Sequence, residues 1–379
     1  MNNTKWSEYL EILVCPETQQ HFQYVSLAEA ESMMATSLVA IRRPRQTTDD
    51  FEEPQPIGPT PYVLVREDMR FAYPVVNDIP ILLIPEMLGS VKEQREFDLQ
   101  NSIYAEAYEE MEVYNKFALS QAENIETSNS YPIIRPLSDV NELEKETFPN
   151  PFSLWIDAVH DCAGQSDAYA HITPIAGKRI LQVGGKGTHI IKFLLAGADE
   201  GWSLSPMLGE LQYTIALAKA FGITDSLRCV VAAGEELPFK DASIDAIYSG
   251  GCIHHTVTSR ALPEAARILV PGGKFAAVDP WKTPIHGIGT RVFGKREADV
   301  YCRPIDKERA LPLGNAFPDS SIVHHGAIFR YPLLALQKLG VSTSLSVAWR
   351  MNKVDDFLSS LVPPFRNSFG GSVTLLGTK

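Results

Sequence analysis

The sequence predicts an α/β protein with a parallel sheet, preceded by a small β-rich domain and a helical segment. Three features predict this class. Strand-like and helix-like segments alternate from about residue 177, a glycine-rich turn follows the first of those strands, and the first 89 residues carry only short strand-like runs. Short connections between alternating strands and helices require parallel strands that are covered by helices on both faces.

Residues 1–89 are predicted to form the small β-rich module. Strand-like runs lie at 62–65, 71–76 and 79–85, and Asn77-Asp78 supplies the turn between the last two. Cys15 and His21 are the nearby metal-ligand types, whereas tetrahedral zinc needs about four Cys or His ligands. The module is therefore predicted to lack a metal and to be held by its own apolar core.

Residues 90–176 are predicted to form a helical cap and a linker. Aromatic residues recur at mostly three- and four-residue steps in the first part, which predicts one helix with an aromatic stripe. The stripe either packs against a neighbouring domain or forms a lid over a substrate pocket, in which case Tyr104 and Tyr108 would bind substrate. The polar stretch 128–151 is interrupted by prolines and reads as a linker or loop.

Residues 177–379 are predicted to form the α/β domain, with a cap insertion at about 281–330. The predicted strands and helices follow each other closely along the chain. The strands lie at 179–183, 200–204, 227–232, 244–249, 274–278, 342–349 and 372–376, and the helices at 189–195, 205–221, 261–269 and 331–339. The turn Gly184-Gly185-Lys186-Gly187 would let a ligand approach the backbone closely.

The composition excludes several classes of protein. The chain has 379 residues and a formal net charge of -12, which argues against non-specific nucleic-acid binding. Apolar windows are too short to span a membrane, and the first residues lack the pattern of a secretory signal. The five cysteines are scattered, which excludes a disulfide scaffold. We therefore expect a cytoplasmic protein with no nucleic-acid or membrane partner; its oligomeric state is left open.

A family resemblance rests on motifs that occur in one order after the glycine-rich turn. They are Leu237-Pro238-Phe239, the run 243–247 (SIDAI), Ile253-His254-His255, and the run 269–274 (LVPGGK). Over about 178–278 the chain resembles the class I S-adenosylmethionine (SAM)-dependent methyltransferases, especially the ubiquinone/menaquinone branch. The resemblance implies a Rossmann-like sheet of seven strands, the last antiparallel, with SAM at the carboxyl ends of the first strands.

The N-terminal runs LEILVCPET and YPVVNDIPILLIPE carry a second resemblance. They are similar to the small zinc-ribbon-derived domain that accompanies or activates some methyltransferases. In this chain Glu17 and Thr18 follow Cys15-Pro16, where the relatives have a further cysteine. The resemblance therefore implies a degenerate form of that domain without its zinc ligands.

The first resemblance also implies a set of SAM-binding residues. They are Gln182, Gly184, Gly185, Gly187, Ser203, Leu204, Gly234, Glu235, Ser249 and Gly250. The chain departs from the family where Gln182, Ser203 and Ala233 replace acids and where Lys186 replaces a glycine. The ammonium of Lys186 either repels the sulfonium of SAM, pairs with the ligand's carboxylate, or points to solvent.

The residues predicted to act on the acceptor come from two histidine pairs and a basic segment. His254 and His255 follow the fourth strand and are the candidate general bases, with family packing as the alternative. Arg291, His324 and His325 lie in the predicted cap and would bind a carboxylate or phosphate of the acceptor, unless that segment is a solvated surface. No metal site is predicted, and Cys252 is interpreted as a small buried apolar residue.

The sequence thus predicts a SAM-dependent methyltransferase that acts on a small-molecule acceptor, anionic if the basic segment binds it, in biosynthesis. Two alternatives stay open. One is a methyltransferase-fold enzyme that catalyses another reaction, such as cyclisation. The other is a catalytically silent partner subunit.

Overall fold

The structure, a computed structural model, describes residues 3–44, 60–128, 131, 134, 159–286 and 303–379. Arg291 and nearly all of the predicted linker 128–151 lie outside the described residues. Within the described residues the chain forms a six-stranded sheet, a seven-stranded sheet and a two-stranded ribbon. No helix of these ranges is both long and apolar enough to cross a membrane.

The N-terminal sheet is built from short elements. These are α1 (Asn3–Ile12), β1 (Phe22–Ser26), α2 (Leu27–Met34), β2 (Val39–Ala40), β4 (Tyr62–Arg66), β5 (Ala72–Val76), β6 (Ile79–Pro80) and β7 (Leu88–Gly89). The strand order is β1-β4-β5-β7-β2, with β6 beside β5, while β3 (Arg42–Pro44) pairs with β8 (Arg95–Phe97). Strands β4 and β5 have buried side chains at nearly every position. Val63, Val65 and Ala72 form a small cluster within the module, whereas Leu64 and Tyr73 belong to a core that includes residues of the larger domain.

The larger sheet has the order β11-β10-β9-β12-β13-β15-β14. Its strands are β9 (Arg179–Val183), β10 (Glu200–Ser205), β11 (Leu227–Val231), β12 (Ile244–Gly250), β13 (Leu269–Pro280), β14 (Asp319–His325) and β15 (Ser372–Thr378). The first five strands in this order are parallel, and β15 is antiparallel to both neighbours. The predicted seven-stranded α/β sheet, with its last strand antiparallel, is confirmed.

Helices cover both faces of this sheet and lie in the connections between strands. They are α3 (Ala105–Ser128), α4 (Cys162–Ile172), α5 (Thr188–Leu195), α6 (Leu208–Phe221), α7 (Thr258–Ile268), α8 (Lys307–Ala316), α9 (Arg330–Lys338), α10 (Leu345–Ser360) and α11 (Pro363–Phe369). Helix α3 is the predicted aromatic helix and packs along α6, where Asn115 Oδ1 accepts a 2.6 Å hydrogen bond from the Gly209 N–H. This contact brings α3 across the carboxyl edge of the sheet.

The N-terminal module joins the larger sheet at its β11 edge. The Leu82 N–H donates to the Val231 carbonyl at 2.7 Å, and the Tyr9 hydroxyl accepts from the Cys229 N–H at 3.1 Å. Tyr9 also packs edge-on against Trp202, in an apolar core that both domains share. The module therefore covers an edge strand that would otherwise expose unpaired backbone groups.

Two elements of the C-terminal region differ from the sequence prediction. The strand predicted at 342–349 is wrong, because this stretch enters helix α10, which Ser344 caps by accepting from the Val347 N–H. Tertiary packing decides the helix here, because Ala348 and Trp349 are buried in an apolar cluster with Cys162 and Leu333. Strand β14 and helix α8 lie within 281–330, where the sequence predicts a cap insertion.

Candidate functional site

The glycine-rich turn between β9 and α5 is held by the side chain of Gln182. Its Oε1 accepts from the Ile190 N–H at 2.8 Å, and its Nε2 donates to the Gly184 carbonyl at 2.9 Å. Both ends of the amide are thus engaged with the backbone of the turn and the helix. We assign Gln182 the role of shaping the turn, which an acid at this position would not perform in the same way because it has no donor.

The three predicted glycines differ in what surrounds them. All have positive φ, at +79° for Gly184, +74° for Gly185 and +66° for Gly187. A Cβ at Gly184 would meet Cys252 Cβ at 2.5 Å, and one at Gly187 would meet Thr214 Oγ1 at 2.2 Å. At Gly185 the nearest atom would be 3.7 Å away. Gly184 and Gly187 are therefore required by packing within the protein, and Gly185 is where a ligand has room to approach.

A buried carboxylate that the sequence-based reasoning missed lies beside this turn. Glu210, in the first turn of α6, accepts from Ser205 Oγ at 2.7 Å and from the backbone N–H of Gly185. Burial raises the pKa of Glu210, and these two hydrogen bonds oppose that rise. Glu210 thus connects the end of β10 to the turn after β9, the position where the resemblance leads one to expect an acid from the strand itself. The sequence signal was an acid five residues after Ser205, one helical turn into α6.

The charge of Lys186 is directed toward helix α3. Its Nζ donates to Gln121 Oε1 at 2.6 Å and lies 4.2 Å from the ring centroid of Phe117. Of the orientations that the sequence left open, a lysine pointing into solvent is therefore not the one observed. The stem instead ties the turn to the helix that crosses the site.

The other predicted SAM-binding residues lie around the same strand ends. Ser249 Oγ donates to the Val183 carbonyl at 3.0 Å, and the Leu204 carbonyl accepts from the Gly184 N–H at 2.7 Å. Ser203 is fully buried within β10, and its Oγ makes no hydrogen bond to any described group. The carboxylate of Glu235 accepts from the Val257 N–H at 2.8 Å, and burial raises the pKa of Glu235 to about 7.

Two more of the predicted SAM-binding residues, Gly234 and Gly250, lie at the same strand ends. Gly234 lies on the loop after β11, where a Cβ would meet Thr256 Cγ2 at 3.3 Å. Gly250 ends β12, and a Cβ there would meet His189 Nε2 and Tyr248 Oη, both at 3.2 Å. The structure thus brings the predicted SAM-binding residues together at one edge of the sheet.

His254 forms a buried dyad with Asp279. Its Nδ1 lies 2.8 Å from Asp279 Oδ1, which also accepts from the His254 N–H at 3.0 Å. Asp279 lies near the carboxyl end of the parallel strand β13, and its Oδ2 is buried without a hydrogen bond from any described group. A carboxylate that fixes an imidazole in this way also fixes which ring nitrogen is free to take a proton.

His255 is held by two carboxylates of helix α3. Its Nδ1 lies 2.9 Å from Glu106 Oε1 and 3.0 Å from Glu110 Oε1. Burial alone would lower the pKa of His255, but the two carboxylates raise it to about 9. The predicted pair of general bases thus separates into His254, which a carboxylate orients, and His255, which carries a proton at neutral pH.

Tyr104 and Tyr108 anchor helix α3 rather than presenting free hydroxyl groups. The Tyr104 hydroxyl donates to Glu236 on the loop after β11, and the Tyr108 hydroxyl donates to Glu86 Oε1 at 2.5 Å. Both side chains are buried. Of the two interpretations of the aromatic stripe, the contacts of these residues favour the packed helix, and their role in substrate binding stays a prediction.

His324 and His325 lie on β14, at the other end of the sheet from the N-terminal module. His324 packs edge-on against Trp281, and burial lowers its pKa to about 4. His325 has Asp356 3.0 Å from Nδ1 and Asp167 3.1 Å from Nε2. Burial alone would lower the pKa of His325, but the two carboxylates raise it to about 9. Four strand positions, or about 19 Å, separate β14 from the glycine-rich turn.

The sheet order and the turn after β9 define the class of protein to which this domain belongs. Its strand order, with the last strand antiparallel, is the one that the resemblance to class I SAM-dependent methyltransferases implies, and residues 210–277 match the family described as "Methyltransferase domain". The match confirms, over these residues, the methyltransferase resemblance seen in the sequence. The zinc-ribbon-like origin of the N-terminal module stays a prediction.

Relatives of known name match the same region. The ubiquinone/menaquinone biosynthesis C-methyltransferase UbiE of Brucella anthropi is 36% identical over 107 residues, which are 24% of this chain and 40% of the relative. The 27-O-demethylrifamycin SV methyltransferase of Amycolatopsis mediterranei is 31% identical over 119 residues, 30% of this chain and 43% of the relative. The chain thus spans less than half the length of these curated relatives.

A solved structure is similar over a longer stretch. Geranyl diphosphate C-methyltransferase from Streptomyces coelicolor A3(2) aligns with 70% of this chain and 97% of its own, at 15% identity and a TM-score of 0.45.

The groups at the carboxyl edge of the sheet are of the kinds that could bind SAM. Gly185 leaves room at the turn, and Glu210 supplies buried carboxylate oxygens between the ends of β9 and β10. A carboxylate there would accept hydrogen bonds from the ribose hydroxyls of the cofactor. The excess of acids around the cleft also suits a ligand that carries a positive sulfur.

Proposed function

We propose that the protein transfers the methyl group of SAM to a small-molecule acceptor in a biosynthetic reaction. The observation that carries this proposal is the position of Glu210, which supplies the acid that the strand lacks, on a sheet of the methyltransferase order. The family match over 210–277 and the methyltransferase relatives support it. As part of the proposal we place the protein in the cytoplasm; the four described cysteines are free thiols, which fits a reducing compartment.

In this proposal SAM supplies an electrophilic methyl group, and the chain's own residues bind and orient the two reactants. Glu210 and the backbone around Gly185 would hold the nucleoside, and Gln182 keeps the turn in the required shape. His254, oriented by Asp279, would remove a proton from the acceptor's nucleophilic oxygen, nitrogen or carbon. His255, which two carboxylates of α3 engage, does not share this role.

Helix α3 would exclude water from the site. Asn115 and Lys186 join it to α6 and to the glycine-rich turn, and Tyr104 joins it to the loop after β11. Arg303 lies at the rim with a side chain that is 68% exposed, where it is available to an anionic acceptor. We propose that an anionic acceptor binds beside Arg303 and not around His324 and His325, as the sequence predicts, because those two histidines lie on β14, away from the glycine-rich turn.

Calorimetry with SAM and S-adenosylhomocysteine tests the role of Glu210. We expect Glu210→Gln to weaken SAM binding about tenfold to a hundredfold, since a hydrogen bond to a charged group contributes about 1.5–3 kcal/mol. Glu200→Gln is the matched control, because Glu200 begins β10, at the opposite end of that strand from Ser205, and contacts Arg179. It should bind SAM as the wild type does.

Two outcomes would contradict parts of this proposal. Equal SAM affinity of E210Q and wild type would remove Glu210 from the binding site. A wild-type protein that binds neither SAM nor S-adenosylhomocysteine would instead point to a silent partner subunit. Binding without methyl transfer to any acceptor of a small-molecule panel would favour the alternative of a different reaction in the same fold.

A further inference from the structure

Three side chains converge at the carboxyl edge of the sheet on one small volume. Glu106 and Glu110 are four residues apart on α3 and therefore lie on the same helix face. His255 belongs to the short 3-10 turn that follows β12. One ligand atom of each residue lies within 4.8 Å of the ligand atoms of the other two.

The backbone of this turn is fixed from the opposite side. Arg309, on α8, donates through Nη2 to the carbonyls of His254 at 2.7 Å and Thr256 at 2.9 Å, on either side of His255. The imidazole of His255 also lies against that of His254, with ring centroids 3.9 Å apart. The three ligand groups therefore come from two elements, the turn that Arg309 holds and helix α3, which Asn115 joins to α6.

The hydrogen bonding within the cluster is incomplete. Glu110 is 6% exposed, and its Oε1 makes no hydrogen bond within the described part of the chain although it lies 3.0 Å from His255 Nδ1. The nitrogen carries at most one proton, and that proton is directed to Glu106 Oε1 at 2.9 Å. A buried carboxylate oxygen without a donor is costly, so the cluster has an unfilled position for a ligand beside Glu110 Oε1.

We propose that Glu106, Glu110 and His255 bind a divalent transition-metal ion, which displaces the proton on His255 Nδ1 into solvent. A metal with ligand bonds of about 2.1 Å in octahedral geometry places neighbouring ligand atoms about 3.0 Å apart. The two distances from His255 Nδ1, 2.9 and 3.0 Å, match that spacing. Two carboxylates and one imidazole suit Mn²⁺, Fe²⁺ or Zn²⁺ better than Ca²⁺ or Mg²⁺, which prefer oxygen ligands alone.

The nearby charges leave the ligand atoms accessible to such an ion. Arg303 approaches the cluster, but its Nη1 lies 3.9 Å from Glu106 Oε2, the oxygen that does not face His255. Glu110 also acts electrostatically on Glu210 and Cys252, which places the cluster close to the glycine-rich turn. Three protein ligands leave coordination positions for water or, if the proposed function holds, for an oxygen atom of the acceptor.

Manganese binding to the full-length chain tests the proposal. Free Mn²⁺ is followed by its electron paramagnetic resonance signal, and Zn²⁺ is titrated by calorimetry. We expect one Mn²⁺ per wild-type chain and an affinity about a hundredfold lower in Glu110→Gln and in His255→Asn, since loss of a ligand exceeds the tenfold or more expected for an outer-shell change.

Asp356→Asn is the matched control. It removes one of the two carboxylates that contact His325. Like His255, His325 lies between two acids, but the two acids are on opposite nitrogens of its ring. This variant should bind Mn²⁺ as tightly as the wild type does. Circular dichroism and thermal unfolding show whether each variant is folded. If Glu110→Gln does not fold, the conservative variant Glu110→Asp is measured in its place.

Either of two results would overturn the proposal. A wild-type protein that binds neither ion at millimolar concentration, or an E110Q variant that binds Mn²⁺ with wild-type affinity, contradicts the metal site. SAM binding is measured on the same samples. Normal SAM binding without metal binding would overturn only this inference, whereas metal binding without SAM binding would overturn only the proposed function.

Discussion

Two histidine pairs follow the same local rule in different parts of the molecule. In each, the first histidine is buried beside an aromatic or imidazole ring, and the second contacts two carboxylates that raise its pKa to about 9. The pairs are His254-His255, after β12, and His324-His325, at the end of β14. Their sequences are equally suggestive of chemistry, so the difference between them lies in what the fold places around each ring.

The geometry of the carboxylates separates the two pairs. Glu106 and Glu110 both approach Nδ1 of His255, whose side chain is 24% exposed. Asp356 and Asp167 approach opposite nitrogens of His325, whose side chain is 2% exposed. Acids on opposite sides of a ring cannot share one ion, whereas acids on the same nitrogen can. The first pair therefore offers a binding site and the second pair a buried ion-pair network that joins α4, α10 and β14.

The largest expected effect concerns the general base of the first pair. If His254 takes a proton from the acceptor, His254→Asn should lower kcat by about a hundredfold to ten-thousandfold. SAM affinity should stay near the wild-type value, because His254 contacts Asp279 rather than the turn after β9. Steady-state kinetics and calorimetry on the same preparation measure both quantities.

His171→Asn serves as the control for that variant. His171 Nε2 hydrogen-bonds to the Gly377 carbonyl near the C-terminal end of β15. This end of β15 is opposite to the one that pairs with Asp279, so His171 is remote from the turn after β12. A kcat of H254N within a few-fold of that of H171N would exclude a general base at His254 and would make the two histidine pairs equivalent in function.

The second prediction concerns the stability that His325 provides. Its pKa rises on folding from 6.5 to about 9, so its contribution is complete below pH 6.5 and is lost as the pH rises through about 9. The shift corresponds to about 3 kcal/mol. We expect His325→Gln to lower the free energy of unfolding by about that amount at a pH below 6.5, and by much less above pH 9.

Urea unfolding at the two pH values measures this difference. The control is His21→Gln, because His21 is exposed in the N-terminal module and should change the free energy of unfolding little at either pH. A gap between H325Q and wild type that stays constant with pH would show that the histidine contributes packing alone. The contrast between a sealed ion pair and an open cluster would then need another explanation.

The comparison also shows how far the sequence could lead. Strand–helix alternation, the glycine-rich turn and the motifs near 237 and 269 predicted the sheet, because local periodicity and turn chemistry determine those elements. The sequence could not show that Glu106 and Glu110 meet His255, since helix packing brings together residues about 150 positions apart. It also could not show Glu210 in place of the strand acid, because that depends on the angle at which α6 leaves β10.

The missed strand β14 has a similar physical cause. Ser320 and Ser321 interrupt its apolar pattern, and all of its first five positions are exposed or half-buried at the sheet edge. Edge strands with polar side chains give a weak period-two signal in a sequence. His324 and His325 were therefore placed in a predicted cap, although tertiary pairing with β15 fixes them in the sheet.

The smallest expected effect concerns Lys186, for which the sequence left open repulsion of the sulfonium, pairing with the ligand's carboxylate, or a position in solvent. In the structure the ammonium of Lys186 is held by Gln121 and the Phe117 ring, so polar and aromatic groups of α3 solvate it. We expect Lys186→Met to change the SAM dissociation constant by less than about fivefold, which corresponds to about 1 kcal/mol. Calorimetry beside Gln121→Ala, which removes the partner but keeps the charge, separates charge from contact. A tenfold gain in affinity for K186M, with none for Q121A, would show that the ammonium opposes the cofactor despite its contacts with α3.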